Sequence, residues 1–199
     1  TFINRLLCRW FVPVRNTLRL SLDRMLHLPW KKYRTVVVTP TLLLSSKNIQ
    51  DQLEIVEANF LANGDGRCGL QYVVLSDWKD APQEKIAGDD ALYKEMKDGI
   101  AQLNSLYPSL PDGSPRFLVC HRRRLWNEAE KCWMGWERKR GKLHEFNMLL
   151  HDPKYDSSFF PVEGIPQGVK FVITLDADTR LPIGVAKQLI GALAHPLNR

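Results

Sequence analysis

The stretch Val169–Pro182, VKFVITLDADTRLP, decides how the chain is read. Apolar and β-branched residues run from Val169 to Leu175 and stop at two aspartates one residue apart, Asp176 and Asp178. Along a strand, residues i and i+2 face the same way, so both carboxylates point into one space if extended geometry persists. A hard divalent cation, which prefers oxygen ligands, relieves their mutual repulsion. Mg²⁺ typically combines one or two carboxylates with substrate phosphates. The pair therefore suits a Mg²⁺ or Mn²⁺ ion on a diphosphate. A solvated loop with two acids capping the next helix is the plainer alternative.

Similar strand ends recur upstream. Arg34–Pro40 (RTVVVTP), Leu70–Asp77 (LQYVVLSD) and Arg116–His121 (RFLVCH) read as strands. Ile49, Leu53, Val56 and Phe60 share one helical face, with Asn48 as the expected cap and Asp51 in the first turn. NGDG at Asn63–Gly66 is a turn cluster. Leu92, Met96, Ile100 and Leu103 mark a second helix, ended by the Pro- and Gly-rich Pro108–Pro115. A long polar and aromatic helical stretch is expected after the third strand, up to about Leu150. Pro153–Gln167 reads as a loop, and Ile183–Leu193 as a last helix with Pro182 near its start. Strands separated by helical crossovers predict an α/β fold. It is Rossmann-like, a mostly parallel sheet with helices on both faces. Ligands bind outside the carboxyl ends of such strands. That rule points to Thr39–Thr41, Asp77, His121 and Asp176–Asp178.

The chain has 199 residues, 44% hydrophobic and 25% charged, which is ordinary for a globular domain or a large part of one. Its net charge of +6 suits an anionic partner: a nucleotide, a phosphate, a nucleic acid or an acidic membrane face. Cys8, Cys68, Cys120 and Cys132 form no C-x-x-C pair, which removes the usual zinc spacing and fits a reducing compartment. No apolar run reaches the ~18 residues of a membrane span. In residues 1–32, Ile3, Leu6, Leu7, Trp10, Phe11 and Val14 recur at helical spacing among Arg5, Arg9, Arg15 and Arg19. Such a basic amphipathic, juxtamembrane-like segment either lies on an acidic membrane surface or packs on its own domain, here residues 33–199. A start at Thr1 rather than Met suggests a piece of something longer.

Other residues carry possible chemistry. Asp77 can accept a hydrogen bond from a base N–H or a ribose hydroxyl, or it is a turn residue. In Glu137–Asn147 (ERKRGKLHEFN), basic residues surround Gly141, whose missing side chain allows close approach to a pyrophosphate. A solvated helix face is the competing reading, and the same reading is favoured for the basic run His121–Arg124. Trp126, Trp133 and Trp136 are expected in the core, with stacking on a sugar or base as the alternative. His144 and His151 show no metal-ligand spacing. The absence of G-x-x-x-x-G-K-[ST] and G-x-S-x-G argues against P-loop ATPases and serine hydrolases, and the one G-x-G-x-x-G, GDGRCG at Gly64–Gly69, precedes a strand instead of following one and opening a helix, which argues against a dinucleotide enzyme.

Together, RTVVVTPTLL, VVLSDWKDAP, GWERKRGKLHEFNMLL and FVITLDADTRLP…AHPLNR resemble the glycosyltransferase region of cyclic β-1,2-glucan synthases, over roughly Tyr33–Arg199. That region is similar to the GT-A-fold inverting transferases. The resemblance implies UDP-glucose as donor. It implies Thr39, Pro40 and Thr41 beside the uracil and Asp77 on the base. It implies Lys139, Gly141 and Asn147 near the nucleotide, in a stretch whose spacing departs from the simpler group. It implies Asp178 on a Mg²⁺ or Mn²⁺ ion, with Asp176 on ribose or metal. Full-length members are large inner-membrane proteins working at the cytoplasmic face of the bacterial inner membrane. They extend a growing β-1,2-glucan chain, and no nucleic-acid partner is expected. The general base and a Q/R-x-x-R-W-type motif are expected after Arg199, so this chain alone is expected to bind donor weakly and to transfer nothing. Two rivals stand beside this reading. A haloacid-dehalogenase-type phosphatase would use Asp176 as nucleophile and Asp178 as acid–base. A basic module binding nucleic acid or a membrane surface would use the net charge alone.

Overall fold

The computed structural model describes residues 30–64, 69–161 and 163–198. The amphipathic segment 1–32 therefore lies outside the described residues up to position 29, as do Cys8, Cys68 and half of the NGDG turn. No described helix is long and apolar enough to cross a membrane.

Four parallel strands form the main sheet: β1 (Thr35–Leu43), β2 (Leu70–Trp78), β3 (Phe117–Arg122) and β6 (Phe171–Thr174), in spatial order β3-β2-β1-β6. Helix α1 (Ser46–Asn63) joins β1 to β2, and α2 (Asp89–Leu106) joins β2 to β3. The chain then steps back across the sheet through α3 (Arg138–His151) and lays β6 on the far side of β1. It ends in α4 (Val185–Ala194). The expected doubly covered α/β sheet is what forms.

Strand alternation explains the two covers. Val37, Tyr72 and Val74 face a core with Ile49, Val56 and Phe60 of α1 and Met96, Ile100 and Leu103 of α2. Val36, Val38, Val73 and Leu75 face the other way, onto Phe146 and Leu149 of α3. A strand buried on both sides needs a continuous apolar run, and that is why these strands were readable.

Two expectations need correction. The stretch after β3 is not one long helix. An antiparallel hairpin, β4 (Leu125–Asn127) and β5 (Cys132–Met134), precedes α3, and Trp126 pairs with Trp133 across it. Its tryptophans are not core residues: Trp126 is 46% exposed and Trp136, just beyond, 45%. The cap of α1 is Ser45, whose hydroxyl accepts the Asn48 N–H at 3.2 Å. Asn48 instead reaches back to accept the Leu44 N–H at 3.3 Å, a reciprocal arrangement that satisfies two free donors.

Candidate functional site

In the order β3-β2-β1-β6 the strands after β1 are added first on one side and then, with β6, on the other, and a parallel sheet opens a crevice at such a switch point. One residue disfavours further pairing there. The Val38 carbonyl accepts the Leu175 N–H at 2.9 Å, so alternate residues of β1 turn their backbone groups toward β6. The next in that series is Pro40, which has no N–H to offer. The pairing with β6 ends at Val38↔Thr174, while β1 and β2 stay paired to Leu43↔Trp78. Beyond the split lies a cavity of about 550 Å³, walled by Pro40, Thr41, Asp77, Lys139, Lys142 and Ala177 among others. That volume is within the range of small-molecule sites.

The cavity floor is a buried charge network. Asp77 ends β2 and receives two parallel bonds from Arg122, Nε to Oδ1 at 2.7 Å and a terminal nitrogen to Oδ2 at 2.9 Å. The Lys142 Nζ also reaches Oδ2, at 2.8 Å, and donates to the Thr41 carbonyl at 2.6 Å. Arg122 gives its remaining N–H groups to Glu145 at 3.0 Å, to the Trp136 carbonyl at 2.9 Å and to the Arg138 carbonyl at 2.9 Å. All five guanidinium donors are thus used. The second oxygen of Glu145 accepts from the Ser158 N–H and hydroxyl at 2.6 and 2.7 Å. Two acids balance two cations out of water, the condition under which buried charges are tolerated. Burial opposes the charge on Arg122, but Asp77 and Glu145 more than offset it and raise its pKa. For Lys142 burial dominates and lowers the pKa although Asp77 pulls it up.

The basic run His121–Arg124 is therefore not a solvated face. Arg122 is buried in this network, and Arg124, two residues on, is buried against Asp89 at 2.5 Å. Arg123 between them is exposed. Strand periodicity turns alternate residues inward, where carboxylates wait for them. His121 is buried as well and does not line the cavity. Its Nδ1 lies 2.8 Å from the Ser76 hydroxyl, and its ring lies against both Tyr93 and Phe160, which also touch each other. Burial depresses its pKa to about 3; Asp77 opposes and Lys142 assists.

Arg122 also shapes the rim. The two carbonyls it binds flank Glu137, and Glu137 and Arg138 both sit in left-handed backbone, at φ 50° and 46°. Side chains rarely adopt that region, and surrounding contacts must hold them there. Gly141 makes the close approach that its motif suggested, but the neighbour is protein. A Cβ there would lie 1.9 Å from the Trp136 carbonyl oxygen.

At the other wall, the Thr179 N–H bonds the Asp176 carbonyl at 3.0 Å, so residues 176–179 form a turn. Extended geometry stops at Thr174, and the i, i+2 argument for the two acids does not apply to this conformation. Asp176 and Asp178 are both exposed on either side of Ala177, which lines the cavity. Lys139 forms an ion pair with Asp176 across the opening. Two exposed carboxylates beside a polar cavity fit a hard divalent cation in donor type. Asp80, Glu130 and Cys132 also bring ligand atoms within 4.8 Å of one another, but the Arg138 guanidinium already bridges the two acids, at 2.9 and 2.5 Å.

The remaining anticipated residues divide clearly. Pro40, Thr41, Asp77 and Lys139 line the cavity, and Thr39 is buried beneath it. Asn147 is exposed on α3 and does not line it. Eight residues beyond Lys139, it is rotated about 80° around a helix of 3.6 residues per turn. Lys142 occupies the inward position instead. The anticipated set had not singled out Lys142, Arg122 or Glu145. The strongest signal for them was an Arg-x-Arg alternation directly continuing a strand.

No protein-family model matches the chain. A structure from E. coli described as "Trehalose-6-phosphate … bound with UDP-2-fluoro glucose" aligns with a TM-score of 0.37 and 11% identity, over 66% of this chain and 25% of that one. A likeness that low has no bearing on the site. The chain is 43% identical over 166 residues, 83% of its length, to the cyclic beta-(1,2)-glucan synthase NdvB of Rhizobium meliloti (strain 1021), and spans 6% of that protein's length. Across those residues the chain belongs to the same family as that segment of the cyclic β-(1,2)-glucan synthase.

Proposed function

We propose that this chain is the donor-binding part of an inverting glycosyltransferase of GT-A type, holding UDP-glucose for transfer to a growing β-1,2-glucan. The observation that carries the reading is the cavity at the β1/β6 switch point, with a lysine on one wall and a two-carboxylate turn on the other. Pro40, Thr41 and the apolar rim offer a slot for a flat base. Asp77 Oδ1 holds one donor and keeps acceptor capacity for a base N–H. Lys139 is the cation for a diphosphate. Asp176 and Asp178 would hold Mg²⁺ or Mn²⁺, whose chemistry there is to neutralise the departing diphosphate. Asp77, tied to Arg122 and Lys142, is not free to act as general base, and neither is Asp80, tied to Arg138. Work at the cytoplasmic face of a bacterial inner membrane belongs to the same proposal and rests on the family alone.

The test is calorimetric titration of UDP-glucose with and without Mn²⁺. Binding that depends on the metal, and that Asp178→Ala weakens at least tenfold, is the expected result. Binding that ignores both metal and substitution, or no binding at all, removes the donor reading.

A further inference from the structure

The turn that carries Asp176 and Asp178 is held by the wrong neighbour for a strand-end loop. Strand β6 has only four residues, and past Leu175 its backbone leaves β1. From Ala177 to Ala186 the chain is fastened instead to side chains of α1, on the far side of the sequence. Gln52 Nε2 donates to the Ala177 carbonyl at 3.0 Å. Asn59 makes two bonds: Nδ2 to the Thr179 carbonyl at 3.1 Å, and Oδ1 accepting the Leu181 N–H at 2.8 Å. Asn63 repeats the pattern one helical turn later, Nδ2 to the Leu181 carbonyl at 3.4 Å and Oδ1 from the Ala186 N–H at 3.0 Å. All three amides are buried, at 5%, 1% and 3% exposure.

Their spacing is the argument. Positions 52, 59 and 63 lie along one helical stripe beside the apolar stripe of Ile49, Val56 and Phe60. A helix that only covered a sheet would have apolar residues on both. Burying carboxamides is costly unless they find partners, and here the partners are backbone groups of one loop, for both ends of Asn59 and Asn63 and for the Gln52 Nε2, while the Gln52 Oε1 is buried without one. Each asparagine offers a donor and an acceptor to the peptide groups on either side of it, as a neighbouring strand would.

We propose that Gln52, Asn59 and Asn63 are positioning residues for the Asp176–Asp178 turn. They fix its backbone before any ligand arrives, so that the two carboxylates meet metal and diphosphate without an ordering step. The proposal rests on the donor reading above. Without the amides the loop keeps its sequence and its acids but loses its outer anchor.

The experiment compares Asn59→Leu and the milder Gln52→Leu with Asn104→Leu, in the natural polypeptide that contains these residues. Asn104 makes the same two-bond bridge from α2, to the Phe117 carbonyl at 2.9 Å and from the Phe117 N–H at 3.0 Å, but at the opposite rim of the sheet. Asn104 is half-buried, and it controls for simple loss of a two-bond amide bridge. UDP affinity is measured with and without Mn²⁺, and hydrogen exchange is followed at the Leu181 amide with no metal present. Expected are a roughly tenfold weaker Mn²⁺-dependent affinity in Gln52→Leu and Asn59→Leu, an unchanged metal-free affinity, and faster Leu181 exchange in Asn59→Leu. Asn104→Leu should change neither ratio nor exchange. Equal effects from Asn104→Leu, or wild-type metal dependence in both α1 variants, overturn the proposal. If Asn59→Leu does not fold, Gln52→Leu decides alone. A wild-type protein with no Mn²⁺-dependent UDP binding strikes the donor reading first, and the proposal falls with it.

Discussion

The sheet buries an arginine near each rim, and the two are used differently. Arg116, at the amino end of β3, donates to the carbonyls of Pro108, Leu70 and Ser109 and lies over the Phe60 ring. Among the described residues it ties loops together through backbone carbonyls. Arg122, six residues on at the carboxyl end, faces two carboxylates and a lysine under an open cavity. At the other rim, a balanced set of charges sets the shape and the potential of the cavity floor. Strand direction explains the asymmetry, since crossovers leave the crevice at the carboxyl ends.

The comparison breaks most sharply at Arg122. Arg122→Met strands Asp77 and Glu145 in a low-dielectric interior, so the unfolding free energy in urea should fall by about 3–5 kcal/mol. Arg116→Met leaves carbonyls unpaired and should cost about 1–3 kcal/mol, without changing UDP affinity in the molecules that remain folded. If Arg116→Met weakens UDP binding as much as Arg122→Met, the division into a structural and a binding rim is wrong.

A smaller effect sharpens the same contrast. Gly141→Ala drives a Cβ into a carbonyl that Arg122 already holds. It should cost about 1–3 kcal/mol in urea unfolding by overpacking, and displace the left-handed residues that carry the rim.

A more gradual effect is one of pH. The folded pKa of His121 is depressed by burial to about 3, below the ~6.5 of an unfolded histidine. A depressed group adds stability that is complete above the unfolded pKa and is lost as pH falls toward the folded one. The unfolding free energy should therefore drop by about 1.4 kcal/mol per pH unit from roughly pH 6 downward because of this residue. His121→Phe, which keeps the ring stack, should flatten that part of the profile in urea titrations at pH 4, 5 and 6.

How much of this was legible follows from what each part depends on. The strands were readable because burial on both faces demands unbroken apolar runs such as TVVV and YVVL. The cavity's place followed from strand order, and Asp77 and Lys139 from strand-end and motif position. Charges whose partners lie far along the chain were not readable. Arg122 and Asp77 are separated by 45 residues, and nothing local distinguishes a paired arginine from a solvated one. The amide stripe of α1 failed for a related reason. Periodicity counts Gln52, Asn59 and Asn63 as polar and assigns them to water, whereas they face a backbone that arrives over a hundred residues later. Asp176 and Asp178 were found by a pattern, but their geometry was misjudged because the strand ends two residues before the first of them.

One missing hydrogen has a lasting effect. Since Pro40 cannot donate, a longer β6 would lose the next rung of the ladder past Val38. A single absent donor thus biases the split between the two strands toward staying open before anything enters it.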